Sequence, residues 1–157
     1  MVHQITKEQF INANIDKVWS FVSSPHNLKL ITPEYMNFVI QSNNLPEKMH
    51  PGMIISYKVS PILNIRTNWV TEITHVKKNE FFVDEQRVGP YKIWHHQHHL
   101  KTHKNGVLMT DIISYRLPFG FLGRIINTLF IKRKLESVFN YRFKAIDRIF
   151  NNLESTK

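Results

Sequence analysis

The sequence contains no cysteine and only five glycines among its 157 residues. Without cysteine there can be no disulfide framework, no thiolate metal site and no cysteine nucleophile. The few glycines do not form a phosphate-binding loop, because Gly120 and Gly123 lack the required spacing and the lysine. Nucleotide hydrolysis is therefore not expected.

Long apolar runs are also missing. No segment approaches the roughly 18 apolar residues of a membrane-spanning helix, and the first residues do not join a basic segment to an apolar one as a secretory signal does. No serine stands in a nucleophile-elbow motif, and no two carboxylates form an evident glycosidase or protease dyad. These features predict a cytoplasmic protein that does not carry out covalent hydrolysis.

Positive charge is in excess, since 21 Lys and Arg residues face 12 Asp and Glu residues, a net charge of +9. Over residues 122–157 there are eight basic residues and three acidic ones, a net charge of +5. No nucleic-acid partner is expected, because the aromatic residues Phe139, Phe143 and Phe150 follow a buried helical stripe and do not interleave with the basic ones. We interpret the charge as a solvated helix face.

A hydrophobic fraction of 42% and an aromatic fraction of 12% supply enough packing material for one folded domain over residues 1–157. A first strand within residues 3–13 precedes two short helices, the first capped by Asp16 and the second over residues 26–31. Strand-like runs separated by turn signals then follow at 36–42, 53–60, 66–76, 80–88, 93–103 and 106–117.

The spacing of the apolar residues changes near the C-terminus. From Leu122 to Leu153 the apolar residues recur at three- and four-residue steps, which is typical of an amphipathic helix. The predicted fold class is α+β, with a curved antiparallel sheet of about seven strands wrapped on a long C-terminal helix and two short helices after strand 1. Such an arrangement leaves a cavity between sheet and helix.

Several motifs along the chain are similar to those of a known superfamily. They are Phe82-Val83-Asp84-Glu85-Gln86-x-x-Gly89-Pro90-Tyr91-x-x-Trp94-x-His96-x-His98, which is the most distinctive, and Asn27-Leu28-x-x-Ile31-Thr32-Pro33, Trp69-x-Thr71-x-Ile73, Asp111-x-x-x-Tyr115-Arg116-x-Pro118 and Phe139-x-Tyr141-Arg142. Together they span nearly the whole chain and resemble the bacterial ligand-binding branch of the START-like, or SRPBCC, superfamily.

The resemblance implies the helix-grip fold, with a deep hydrophobic pocket under the last helix. Members of the superfamily include lipid carriers, hormone receptors and polyketide cyclases or hydratases, and similar sequences are sometimes labelled cell-division inhibitors. One departure is Leu100, where the family pattern more often has Phe; this swap changes the shape of the pocket and not its chemistry. A shared fold does not by itself settle function.

Alternation along each strand assigns side chains to the cavity. In the run 107–117, Asp111 is the single charged residue on an otherwise apolar face, so it points inward. The same argument turns His96 and His98 inward. In the run 80–88 apolar residues occupy both faces, and here the resemblance favours Phe82, Asp84 and Gln86 as the inward set.

The predicted ligand-binding residues combine these inward faces with two phenylalanines of the last helix. They are Trp69, Phe82, Asp84, Gln86, Trp94, His96, His98, Asp111, Tyr115, Phe139 and Phe143. We expect a small, largely hydrophobic ligand, lipid-like or polyketide-like, with its apolar body against the aromatic rings and one polar end at the His/Asp group. The predicted role is that of a non-catalytic carrier or sensor without a cofactor.

Three other interpretations remain open. The inward His and Asp residues fit a structural network that pins strand register, because buried ionisable groups need partners. His96 or His98, paired with Asp84 or Asp111, would also suit general acid–base catalysis in a cyclase or hydratase. The third alternative is a protein–protein interaction module related to cell-division control.

Metal binding has to be weighed because five of the nine histidines lie between His95 and His103. His96 and His98 with Asp84 or Asp111 would supply three ligands. Neither this group nor the outward histidines of the same strand form a recognised zinc signature. The sequence therefore predicts no bound metal.

Residues 119–134 join an apolar run to Lys132-Arg133-Lys134. Gly120 and Gly123 are permissive hinges, which favours a lip over the mouth of the pocket. The same composition suits a transient membrane contact in a headgroup region. Both interpretations stay open.

Overall fold

The computed structural model describes residues 1–62, 65–118, 120 and 130–151. Within these ranges seven strands form one antiparallel sheet, and short helices follow the first strand. The strands are β1 (His3–Ile11), β2 (Val39–Ile40), β3 (Met53–Ile62), β4 (Ile65–Lys77), β5 (Phe81–Val88), β6 (Ile93–His103) and β7 (Gly106–Arg116), and the helices are α1 (Ile15–Val22), the 3-10 helices Pro25–Ile31 and Glu34–Met36, and α2 (Lys132–Phe150). None of the described helices is long and apolar enough to span a membrane.

The strand order in the sheet is β1-β7-β6-β5-β4-β3-β2. Consecutive strands from β2 to β7 are neighbours, because antiparallel strands need only short connections. The first strand pairs with the last one, and Ile5 lies opposite Ile113. The N-terminal strand therefore extends the sheet beside β7, and α2 packs against β1 and the first 3-10 helix.

Register shifts curve the sheet on the side of β4. The β3–β4 pairing shifts register once, between Val59 and Ile62. The β4–β5 pairing shifts register twice, between Val70 and Thr71 and between Ile73 and His75. An extra residue at such a point bends the strand and increases its twist. The bends give the sheet the concave face that α2 covers.

Buried apolar residues form two clusters along α2. One lies near the C-terminal half of the helix, where Ile146 and Phe150 meet Trp19 of α1. The other lies near its N-terminal half, where Leu135 and Phe139 meet the sheet. The predicted α+β architecture, with a curved seven-stranded sheet on a long C-terminal helix, is confirmed.

The predicted cap of α1 was wrong by two residues. Asn14 occupies the N-cap position in an extended conformation, and its side-chain oxygen accepts a hydrogen bond from the Asp16 backbone N–H at 2.8 Å. Asp16 instead lies in the first turn, where its carboxylate accepts a 2.8 Å hydrogen bond from the Asn79 amide. Asn and Asp are equally good N-caps, so composition alone does not choose between them.

Two other elements differ from the sequence-based expectation. Of the strand predicted over 36–42, only Val39–Ile40 forms as β2. Met36 ends a 3-10 helix, and Asn37 adopts a left-handed φ of 48°. The second short helix forms as a 3-10 helix over Pro25–Ile31. The part of the last helix predicted before Phe130 lies outside the described residues.

We predict that Ile146→Ala lowers the free energy of unfolding by about 2–5 kcal/mol, because Ile146 is fully buried and its truncation leaves a cavity. The matched control is Ile149→Ala on the same helix, where the side chain is only half-buried and the loss should be smaller. Urea unfolding measures both variants. Equal losses would contradict the packing of α2 described above.

Candidate functional site

A cavity of about 150 Å³ lies between the concave face of the sheet and α2. Most of its wall is apolar and aromatic, and the polar groups are few. Seven of the eleven residues predicted for the site line it: Trp69, Phe82, Asp84, Trp94, His96, His98 and Phe139. Strand alternation therefore identified most of the wall.

The other four predicted residues are not among the cavity-lining residues. Asp111 and Tyr115 lie one layer deeper: Asp111 is hydrogen-bonded to His96, and the Tyr115 ring packs 6.0 Å from the Tyr91 ring. Both side chains point inward as predicted, but they are buried in the core behind the cavity wall and do not line the cavity.

Gln86 and Phe143 do not line the cavity, for different reasons. The Gln86 side chain donates to the Tyr91 backbone carbonyl at 2.6 Å and accepts from the Tyr91 N–H at 3.2 Å, so it fixes the turn between β5 and β6. Phe143 lies to one side of the helix face that meets the cavity, and its backbone carbonyl accepts a 3.0 Å hydrogen bond from Gln9.

Two histidines of β6 and two aspartates of its neighbouring strands form a closed cluster at the polar end of the cavity. In register, Asp84 of β5 lies opposite His96, and Asp111 of β7 lies opposite His98. The His96 Nε2 atom lies 3.0 Å from Asp111 Oδ1, and the His98 Nε2 atom lies 2.8 Å from Asp84 Oδ2. The remaining ring nitrogens complete the cluster, with His96 Nδ1 at 3.3 Å from Asp84 Oδ2 and His98 Nδ1 at 2.9 Å from Asp111 Oδ1.

Arg142 of α2 closes the cluster from the helix side. Its Nη2 atom lies 3.3 Å from His98 Nδ1, and its Nε lies 4.0 Å from Asp111 Oδ2. The Nε group is buried and has no hydrogen-bond partner among the described residues. Arg142 also lines the cavity, as Asp84 does.

The charges of the cluster balance one another. Burial by itself would raise the pKa of Asp111, but Arg142 and the two histidines hold this pKa well below its usual range. Burial also opposes ionisation of Asp84, yet His96 and His98 lower the pKa of that carboxyl as well. Two carboxylates are therefore present in the protein interior, and they need two positive charges.

The two histidines differ in their protonation. Burial would lower the pKa of His96, but Asp84 and Asp111 together raise it. Burial lowers the pKa of His98, and the neighbouring positive charge of His96 lowers it further. Of the two rings, His96 is therefore the one that more readily carries a second hydrogen.

A second polar group lies on the β3–β4 side of the cavity. The Trp69 indole N–H donates to Thr71 Oγ1 at 3.0 Å, and the Tyr57 hydroxyl lies 3.1 Å from the same oxygen. Burial and the Asp84 carboxylate raise the pKa of Tyr57, so its hydroxyl stays protonated. The indole and both hydroxyls are thus held by one another.

Comparisons with known proteins bear on the fold. No protein-family model matches the chain, and no curated protein matches it significantly. Among solved structures, protein Ms6760 from Mycobacterium smegmatis is 16% identical, with 98% of this chain and 92% of that chain covered and a TM-score of 0.62. Ara h 8.0201 is 11% identical, with 93% and 98% covered and a TM-score of 0.59. Major latex-like protein 151 from Panax ginseng is 15% identical, with 87% and 96% covered and a TM-score of 0.55.

The chain has the helix-grip fold. At these identities the likeness to the solved structures shows the architecture and leaves ligand and function open. In this helix-grip fold the cavity occupies the space between sheet and long helix, where the sequence predicted it.

Sequence reasoning left several cavity residues out of the predicted site. Arg142 and Lys134 on α2 both line the cavity, as does Tyr91 from the sheet side. The helical spacing from Phe139 to Arg142 was a usable signal, because residues three apart share a helix face. The basic residues were instead assigned to solvent as a group.

The predicted lip or membrane contact over residues 119–134 lies mostly outside the described residues. Of its described part, Ile131 is buried, Phe130 is exposed, and the Lys134 ammonium lies 3.7 Å from the centre of the Tyr35 ring. Lys134 therefore connects the start of α2 to the second 3-10 helix at the cavity wall.

We predict that Asp111→Asn lowers the free energy of unfolding by about 3–5 kcal/mol, because it leaves buried positive charge without its partner. The matched control is Glu72→Gln, which breaks the partly exposed ion pair with Arg87 and should cost only about 0.2–1 kcal/mol. Urea unfolding near neutral pH compares the two. A loss at Asp111 no larger than that at Glu72 would contradict the charge balance of the cluster.

Proposed function

We propose that this chain is a member of the START-like superfamily that binds one small, largely hydrophobic molecule in the cavity between the sheet and α2. The observation that supports this most is the composition of the cavity wall, which is largely apolar and aromatic. Its polar groups lie at one end, where Asp84, His98 and Arg142 meet, on the β3–β4 side at Thr71 and Tyr57, and at Lys134. A pocket of this kind takes an apolar body and orients it through a few polar groups. The superfamily motifs noted in the sequence and the helix-grip architecture point the same way, and we infer a single domain over residues 1–157.

The volume of the cavity limits the size of the ligand. A cavity of about 150 Å³ accommodates a body about as large as one benzene ring, whereas pockets for drug-sized ligands reach about 300–1,000 Å³. A two-chain lipid would need a much larger space. The walls as they stand favour a compact ring system, such as one end of a polyketide-like molecule.

The aromatic walls are suited to a flat ligand. Trp69 and Trp94 meet edge to face, with ring centroids 5.3 Å apart and an interplanar angle of 89°. Phe82 and Phe139 line other parts of the wall. Rings set at right angles present both a face and an edge to a flat ligand. Aromatic pairs prefer offset-stacked and edge-to-face contacts, and both are then available.

The arrangement of the histidines supports binding without acid–base catalysis. A general base needs a free lone pair within reach of the substrate. Each ring nitrogen of His96 faces a carboxylate oxygen, and so does each ring nitrogen of His98. Neither imidazole therefore offers a lone pair to the cavity, and the carrier or sensor role fits better than that of a cyclase or hydratase.

Titration with benzene, whose size matches the cavity, tests the proposal. We expect calorimetry to show saturable binding to the wild-type protein and at least about tenfold weaker binding to Val138→Trp, because Val138 lines the cavity and a larger ring there fills it. The matched control is Ser137→Trp, one residue earlier on α2 and exposed, which should bind benzene like the wild type.

Circular dichroism and thermal unfolding establish that both variants are folded. Equal benzene affinity in Val138→Trp, Ser137→Trp and the wild type would place benzene binding outside the cavity and overturn the proposal. Mass spectrometry of small molecules released from the purified protein gives a second measurement that needs no variant. Recovery of a single apolar compound would support the proposal, and release of a bulky two-chain lipid would contradict the size limit.

A further inference from the structure

Three potential metal-ligand atoms converge at the polar end of the cavity. Asp84 Oδ2 lies 2.8 Å from His98 Nε2 and 3.3 Å from His96 Nδ1, and the three atoms all lie within 4.8 Å of one another. With metal–ligand bonds of about 2.1 Å, neighbouring ligand atoms lie about 3.0 Å apart in octahedral geometry and about 3.4 Å apart in tetrahedral geometry. The two measured separations are close to this range.

The opposite nitrogens of the same two rings share one acceptor. His96 Nε2 lies 3.0 Å and His98 Nδ1 lies 2.9 Å from Asp111 Oδ1. Histidines that ligate metals almost always donate their other N–H to a carboxylate, a carbonyl or a water, which fixes ring orientation and tautomer. Asp111 occupies the place of such an outer-shell acceptor for both rings at once.

We propose that Asp84, His96 and His98 form a three-ligand site for a divalent first-row transition metal, with Asp111 behind it as the positioning residue. Two imidazole nitrogens and one carboxylate suit zinc, iron or cobalt and disfavour calcium and magnesium, which prefer oxygen ligands. All three ligand residues line the cavity, so the remaining coordination positions face the ligand space. The sequence predicted no metal, because two histidines of β6 and an aspartate of β5 form no recognised zinc signature.

A bound metal ion is compatible with the hydrogens on both rings. On the Asp84 side the ion takes the place of any hydrogen on His96 Nδ1 and His98 Nε2, and the opposite nitrogens of two neutral rings then donate to Asp111 Oδ1 at 3.0 and 2.9 Å. The ring centroids are 3.7 Å apart, and two neutral rings avoid the repulsion that two cationic rings would have at this distance.

The surrounding packing holds the rings in place for such an ion. Phe82 stacks on His98 with ring centroids 4.0 Å apart and planes 13° apart, and Phe139 meets His96 edge to face at 5.3 Å. Both histidines are buried, and the strand pairing places Asp84 directly opposite His96. The ligand atoms are thus positioned by the sheet and the core, as a preorganised site requires.

The two states of the cluster differ in the tautomer of His98. Without metal, His98 Nε2–H donates to Asp84 and Nδ1 accepts from Arg142 Nη2 at 3.3 Å. With metal, Nε2 is a ligand and Nδ1–H donates to Asp111. The position of the hydrogen on His98 therefore reports directly on the proposed site.

Metal titration of the untagged, chelator-treated full chain tests the inference. We expect calorimetry to show one equivalent of Zn²⁺, and Co²⁺ to give a visible absorption band that titrates to the same stoichiometry. Asp111→Asn removes only the acceptor behind the two rings, so it should weaken Zn²⁺ binding by roughly 10–100-fold. Asp84→Asn and His96→Gln each remove a ligand, so each should weaken Zn²⁺ binding by more than this. The matched controls are His95→Gln and His99→Gln on the opposite face of β6, which should leave the affinity unchanged.

Imidazole ¹⁵N NMR of the wild-type protein keeps the inference testable if a variant fails to fold. Added Zn²⁺ should shift His96 Nδ1 and His98 Nε2 and place the hydrogen of His98 on Nδ1. Zinc binding that depends on His95 or His99, or no saturable binding at all, would overturn the inference. The inference does not rest on the proposed hydrophobic ligand. The benzene titration is run with chelator present and the metal titration without benzene, so each can fail alone.

Discussion

Two histidines two residues apart on β6 are held between carboxylates from the strands on either side, and this contact constrains the rest of the structure. Asp84 reaches them from β5 and Asp111 from β7, so the cluster spans three neighbouring strands. A slip of one residue in either pairing would turn an aspartate to the other face of the sheet. It would leave buried charge without a partner, at a cost of several kcal/mol. The cluster therefore fixes register in the middle of the sheet.

The same contact separates core from cavity. Behind the histidines, Asp111 and Tyr115 belong to the tightly packed interior, whereas Asp84 lies on the side that opens towards α2. Arg142 completes the boundary from the helix. One end of the cavity is thus polar, and most of the remaining wall is made of aromatic and aliphatic groups. The proposed binding role uses this division, because the apolar wall would supply affinity and the polar end orientation.

Much of the fold could be predicted because its signals are local. The turn residues between strands, the two-residue alternation of apolar side chains and the change to a helical period after Leu122 are all visible in the sequence. Shorter elements were less predictable. Asn14 and Asp16 have similar capping preferences, and only the conformation of Asn14 decides between them. The strand expected at 36–42 was interrupted by the left-handed Asn37, which a β-propensity pattern does not register.

For the site, the sequence by itself determined which side chains face inward, since side chains on a strand alternate between faces whatever the tertiary context. This is why His96, His98 and Asp111 were assigned correctly to the interior face. Only the tertiary structure decided their depth: Asp111 and Tyr115 lie behind the cavity wall, and Arg142 on α2 reaches it. Depth depends on how far the bulged strands bend and on where the helix crosses the sheet, and neither is encoded in a local period. Distances between ring nitrogens and carboxylate oxygens on three strands arise in the same way. The sequence could therefore group His96 and His98 with Asp84 or Asp111, but only the folded chain gives the separations between their ligand atoms.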